Sequence, residues 1–280
     1  MLSDYLGKKC KLKLVKEVEF GYYLGEEEDK VLLPKNEASD GVREALKSEK
    51  EVEVFLYKDS EDRLIATTLT PGIEIGNPGR LKVVAVTKIG AFLDWGLRKD
   101  LLLPFKEQKK ELEPGDEILV ALYVDKSERL CATMNLYSYL LNNSPYKKDD
   151  EVRGYVYEIS DRFGTYVAVE DGYQGRIPAK EGNFGLKIGK DIVVRITKVN
   201  EDGKLELSLR KKAFMQMDED SEAILLRIRE RGGRLPYTDK AAPEVIMQEF
   251  GFSKNAFKRA VGRLLKEGKI KINEKSIELL

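Results

Sequence analysis

Histidine is absent from the 280-residue chain. Its absence removes the commonest general base, the commonest metal ligand and the side chain that changes charge near neutral pH. Cysteine is scarce: Cys10 and Cys131 are the only two, too few for a four-thiolate zinc site or a disulfide framework. No apolar run approaches the roughly 20 residues of a membrane span, and Met1-Leu2-Ser3-Asp4-Tyr5 lacks a signal-peptide core. Net charge is also missing, 49 Lys and Arg balancing 49 Asp and Glu. The carboxylates are scattered on turns, and Gly76-Asn77-Pro78-Gly79 reads as a linker turn rather than a phosphate cradle. The expectation is a soluble cytoplasmic protein, not an enzyme, with no cofactor, no metal and no membrane partner.

What is present is enough apolar material for packed cores, 42% of residues, and a length that implies at least two domains. The neutral total hides a gradient. Residues 1–70 carry a net charge of −4, whereas residues 223–280 carry +6. A polyanion is attracted to the C-terminal part and mildly repelled by the N-terminal part.

Three segments repeat one order of features. A β-rich run leads to a glycine among aromatic or apolar residues: Phe20-Gly21-Tyr22-Tyr23, Ile89-Gly90-Ala91-Phe92 and Phe163-Gly164-Thr165-Tyr166. An apolar-proline pair follows at Leu33-Pro34, Leu103-Pro104 and Ile177-Pro178, and each unit closes on a basic-Leu pair, Arg63-Leu64, Arg129-Leu130 and Lys204-Leu205. The glycines are 69 and 74 residues apart and the prolines 70 and 74. In the third unit, residues 152–159, 164–169 and 190–199 and the series Leu205, Leu207, Leu209 show strand patterning. About five short antiparallel strands in some 65–70 residues is the size of an OB-type barrel.

Arg162-Phe163-Gly164-Thr165-Tyr166-Val167, Gly175-Arg176-Ile177-Pro178 and Leu205-Glu206-Leu207-Ser208-Leu209 resemble an S1-type RNA-binding domain; the second unit is similar and the first the most divergent. The resemblance implies binding of single-stranded RNA on the barrel face that carries the aromatics around the glycine. Bases stack on exposed rings while cations follow the phosphates. The expected contacts are Phe163 and Tyr166 rimmed by Arg162, Arg176 and Lys204; Phe92 with Lys88 and Arg129; and Phe20 with Tyr23. The acidic run at residues 26–29 argues against the first site.

After Lys212 the period changes to 3.6. Ser221 is expected to cap a helix carrying Ile224, Leu225 and Ile228, ended by Gly232-Gly233. Pro243 opens a second helix. Ser253 caps a third, whose stripe is Phe257, Ala260, Val261, Leu264 and Leu265. Lys254, Lys258, Arg259, Arg263 and Lys266 lie away from that stripe, and Asn255 is the one base-reading amide on the helix. Segments 269–272 and 276–279 complete a winged-helix layout. Phe250-Gly251-Phe252-Ser253-Lys254-Asn255-Ala256-Phe257-Lys258-Arg259-Ala260 looks like the C-terminal signature of the conserved virulence factor B family. That resemblance implies an RNA-binding regulator of gene expression without catalytic activity.

The expected architecture is mainly β: OB barrels at residues 1–70, 76–137 and 147–212, then an α+β winged helix at 218–280, on short tethers near 70–78, 138–147 and 211–221. Single-stranded RNA is the expected partner, with DNA or a protein as the alternative partner of the winged helix. The competing reading is a winged-helix transcription factor or a docking adaptor. S1-type domains also accompany ribonucleases, which a cleavage assay addresses.

Overall fold

The computed structural model describes residues 1–48, 51–182, 185–210 and 213–280. The expected end of the third barrel at 211–212 lies outside the described residues. The chain forms two units, residues 1–209 and residues 210–280.

The first unit contains three five-stranded modules. In the first, β1 (Lys9–Val18), β2 (Gly21–Gly25), β3 (Lys30–Pro34), β4 (Glu51–Lys58) and β5 (Leu64–Thr67) close into a barrel in the order β1-β2-β3-β5-β4. The second has β6 (Gly79–Thr87), β7 (Gly90–Asp94), β8 (Leu101–Pro104), β9 (Glu117–Val124) and β10 (Leu130–Thr133) in equivalent order, as a sheet not closed by a ladder between β8 and β10. The third comprises β11 (Glu151–Ser160), β12 (Gly164–Val169), β13 (Tyr173–Ile177), β14 (Asp191–Val199) and β15 (Leu205–Ser208), and is again closed. One element was not expected: helix α1 (Asp40–Ser48) packs Leu46 into the first barrel, with Val42 and Ala45 partly buried beside it.

The repeated landmarks are neighbours in the folded barrel. Gly21 pairs with Pro34 across β2 and β3, Gly90 pairs with Pro104, and Thr165, next to Gly164, pairs with Ile177. A Cβ at these glycines would sit 2.4 Å from the Leu33 carbonyl oxygen, 2.3 Å from that of Leu103 and 2.0 Å from that of Ile177. Only a residue without a Cβ lets the hairpin press this closely on the strand that ends in proline. Each unit also has a register shift, a bulge, on the strand that precedes the glycine, between Leu14 and Lys16, Val83 and Ala85, and Val156 and Glu158.

The tethers between the three modules are packed segments. Strands β4 and β11 begin with alternating burial and then become buried on both faces, and β9 is buried on both faces from Ile118 to Leu122, because a neighbouring module covers the outer face. Phe55 and Tyr57 on β4 meet Trp95 edge-on, at centroid distances of 5.8 and 6.3 Å. Leu119 and Ala121 on β9 join Tyr155 and Tyr157 on β11 in a separate cluster that also buries Leu136 and Leu140 of the connector. Each large side chain fully removed from water contributes about 1.5–3 kcal/mol. Arg80 fixes the second junction further by bonding Asp171 and Asp191, each at 2.5 Å.

The second unit holds α2 (Ala213–Glu230), β16 (Arg234–Leu235), α3 (Pro243–Phe250), α4 (Lys254–Lys266), β17 (Ile270–Ile272) and β18 (Ile277–Leu279). Strand β16 adds to the expected hairpin, giving the order β16-β18-β17. Ser221 lies inside α2 rather than capping it. The preceding residues, 213–220, hold two Met and one each of Ala, Gln and Glu with no Gly or Pro, and extend the helix upstream. Ser253 does cap α4, its hydroxyl accepting the Ala256 N–H at 3.2 Å. Phe257, Ala260, Val261 and Leu264 are buried in the core, whereas Leu265, expected with them, is 47% exposed.

Candidate nucleic-acid interface

The clearest site in the third barrel is a cavity of 220 Å³. Strand β12 supplies Tyr166, β13 supplies Gln174 and Arg176, and Lys204 stands just before β15. Alternation sends Val167 and Val169 into the core and leaves Tyr166 half-buried on the outer face. Its ring rests on two others: Tyr137 edge-on at 6.1 Å and Tyr157 tilted at 6.1 Å. Lys204 places its ammonium 5.7 Å from the centroid of Tyr137 and pairs with Asp202 at 2.8 Å. The Asp202 carboxylate raises the Lys204 pKa above its ordinary value, and Lys204 in turn lowers that of Asp202. Arg176 has a loose partner, Glu206 at 3.9 Å.

Phe163 and Arg162 stand apart from this cavity. Phe163 lies at the tip of the β11–β12 turn, 48% exposed, with the Arg162 guanidinium 5.1 Å from its ring centroid. Phe163, the expected ring neighbour of Tyr166, is not one; Tyr137 and Tyr157 are. Tyr137, the last residue of the expected second barrel and not an expected site residue, lies in the connector beyond β10. The connector is held to the third barrel by Gln174, whose side-chain amide donates to the carbonyls of Tyr137 at 2.8 Å and Leu140 at 3.0 Å. Three tyrosines in ten residues (137, 139 and 146) are the signal that this stretch packs rather than floats. Tyr157 is buried, and that burial pushes its phenol pKa up.

In the first barrel, Phe20 is 60% exposed and Tyr23 half-buried, with Lys16 Nζ 5.2 Å from the Tyr23 ring. Both rings line a cleft of 920 Å³. In the second, Phe92 is half-buried and lines a cavity of 210 Å³ together with Arg129. Arg129 also forms an ion pair with Asp62 of the first barrel, while Lys88 is exposed and outside that cavity.

On α4, Asn255, Lys258, Arg259 and Lys266 are exposed. Arg263 turns back to Glu267 at 2.7 Å, and Lys254 reaches the Lys240 carbonyl at 3.5 Å. Among the described residues no group of His, Cys, Asp and Glu could hold a metal ion, and no helix is long and apolar enough to cross a membrane. Burial holds the Cys131 thiol pKa up at about 11, so it is no ready nucleophile.

Comparison with known proteins agrees with the order of barrels and winged helix. Residues 6–69 and 75–135 match the S1 domain, residues 146–210 the S1 RNA binding domain, and residues 222–279 the CvfB-like winged helix domain. These are binding modules rather than catalytic domains. YitL of Bacillus subtilis (strain 168) is 34% identical over 94% of this chain and 90% of its own length. Conserved virulence factor B of Staphylococcus aureus (strain N315) is 30% identical over 90% of this chain and 86% of its own. A crystal structure of a multidomain protein with nucleic acid binding domains from Streptococcus pneumoniae matches with a TM-score of 0.50 and 26% identity, covering 99% of each chain. By sequence and by domain order, the chain belongs to the conserved virulence factor B family.

Proposed function

We propose that this chain binds single-stranded RNA, led by the third barrel, and acts in the cytoplasm in post-transcriptional control of gene expression. The observation that carries the reading is the Tyr137–Tyr166 edge-on pair, open to a cavity rimmed by Arg176 and Lys204. Base stacking on such rings is tolerant of sequence, and cations beside them follow the backbone. Phe163 with Arg162 extends the same chemistry to the β11–β12 turn. The test is titration of the full chain with single-stranded RNA and with duplex DNA across a salt series. RNA is expected to bind more tightly, with affinity falling as salt rises through counterion release. Equal or tighter binding of duplex DNA overturns the reading.

A second reading rests on α4, where Lys258, Arg259 and Lys266 face solvent beside Asn255. These side chains suit a phosphate backbone, so the winged helix either adds contacts to the bound RNA or engages duplex DNA or a protein on its own account. Charge reversal at Lys258 and Arg259 separates these cases: loss of duplex binding alone favours the transcription-factor alternative. A ribonuclease assay with and without divalent metal checks the non-enzymatic reading, and robust cleavage ends it.

A further inference from the structure

A cleft of 920 Å³ lies where the first barrel meets the second. One side carries Phe20 and Tyr23; the other carries Arg98 and Lys99 from the segment after β7. The smaller cavity over Phe92 opens nearby, and Tyr57, Ser60 and Lys99 line both. The outer faces of the two barrels are therefore joined by a common wall.

That wall is fixed in place. Lys99 donates to the Asp59 carbonyl at 3.0 Å, and the Trp95 indole donates to the Lys99 carbonyl at 2.6 Å. Arg98 bonds the Asn36 carbonyl at 2.5 Å and pairs at 3.1 Å with Glu37, whose side chain is 4% exposed. The Arg129–Asp62 ion pair braces the far side. The acidic run that argued against a first-barrel site lines neither cavity. Within it, Asp29 accepts the Leu2 N–H at 2.7 Å, and Glu27 lies 3.7 Å from Lys30. The cleft itself is lined by four cations, Lys30, Arg63, Arg98 and Lys99, against two carboxylates, Glu37 and Asp59.

We infer that the first two barrels form one composite site for a single RNA strand, which runs from Phe20 and Tyr23 across the exposed Ser60 and Lys99 to Phe92 and Ile89. The inference rests on the reading of these barrels as single-strand RNA binders and adds a path and a footprint to it. Exposed rings at one end, a polar and cationic bridge, then a second apolar face (Ile89 is 60% exposed) match the alternation of bases and phosphates along a strand. A rigid shared wall makes the two halves one binding event, with the affinity gain of a second contact made intramolecularly.

The test uses the full chain and an RNA of about 16 nucleotides, long enough for more than one barrel, with a photoreactive pyrimidine at one end only. After crosslinking and digestion, a strand labelled at its 5′ end is expected to mark one of two peptides, that containing Phe20 and Tyr23 or that containing Ile89 and Phe92. A strand labelled at its 3′ end is expected to mark the other. Equal marking of both peptides by both labels means two independent sites and overturns the inference; so does the absence of marking on either. Crosslinks to the peptide containing Phe163 and Tyr166 are scored separately, so failure of the third-barrel reading is visible on its own. As a second measurement, Lys99→Glu is expected to weaken the long strand roughly tenfold relative to a strand of about 4 nucleotides. Equal weakening of both, or none, counts against a shared path.

Discussion

Phe163→Ala is the cleanest probe of stacking in the third barrel, because Phe163 is 48% exposed and the Arg162 guanidinium lies over its ring. Loss of the ring is expected to cost about 1–3 kcal/mol of RNA affinity and to move stability by no more than about 0.5 kcal/mol, readable by fluorescence anisotropy and thermal unfolding. Tyr166 differs: it is half-buried against Tyr157, so Tyr166→Ala is expected to lower both affinity and melting temperature, and Tyr166→Phe to spare both. Gly164→Ala is expected to destabilise by more than about 1 kcal/mol, since the backbone there has φ +97° and the new Cβ meets the Ile177 carbonyl. Residue roles were less legible than residue types. Rings beside a glycine announce an exposed aromatic, but which ring meets which depends on Tyr137, 29 residues before Tyr166 and outside the barrel's own strands.

At the scale of the element, most strands were readable because their hydrophobic period is two and their turns are rich in Gly, Asp and Asn. The runs on β4 (Val54, Phe55, Leu56, Tyr57) and β9 (Ile118 to Tyr123) break that period, and such a break is what a strand shows when another module covers its outer face. This is why segments that looked like tethers are packed. Helix α1 stayed hidden because its apolar residues, Val42, Ala45 and Leu46, span little more than one turn between stronger strand patterns. The start of α2 was missed for the opposite reason, a serine with good capping chemistry placed inside a longer helix. Where the capping reading and the hydrogen bond coincide, at Ser253, the cost of removal follows: Ser253→Ala is expected to destabilise the second unit by about 1 kcal/mol, measured by its unfolding in denaturant.

Across the whole molecule the dominant fact is the absence of histidine. RNA affinity is expected to be nearly flat between about pH 6 and pH 8, and a titration over that range checks it. Acid is different. Asp59, Asp116 and Asp191 are each held below the ordinary carboxylate value of 3.8 by partners Arg63, Lys110 and Arg80. Such depressed groups add stability above their unfolded pKa and lose it as the pH falls through the lower folded value. Unfolding is therefore expected to become easier below about pH 4, and the junction braced by Arg80 is expected to loosen there, visible as growing protease sensitivity of the connector.

The ring of Tyr137 has a consequence for how this protein can be taken apart. A boundary drawn where the third barrel's own strands begin severs one wall of its pocket, so that fragment folds around a diminished grip. Any transplant of the barrel, in the laboratory or by recombination, keeps its whole pocket only when the fourteen residues from Tyr137 to the start of β11 travel with it.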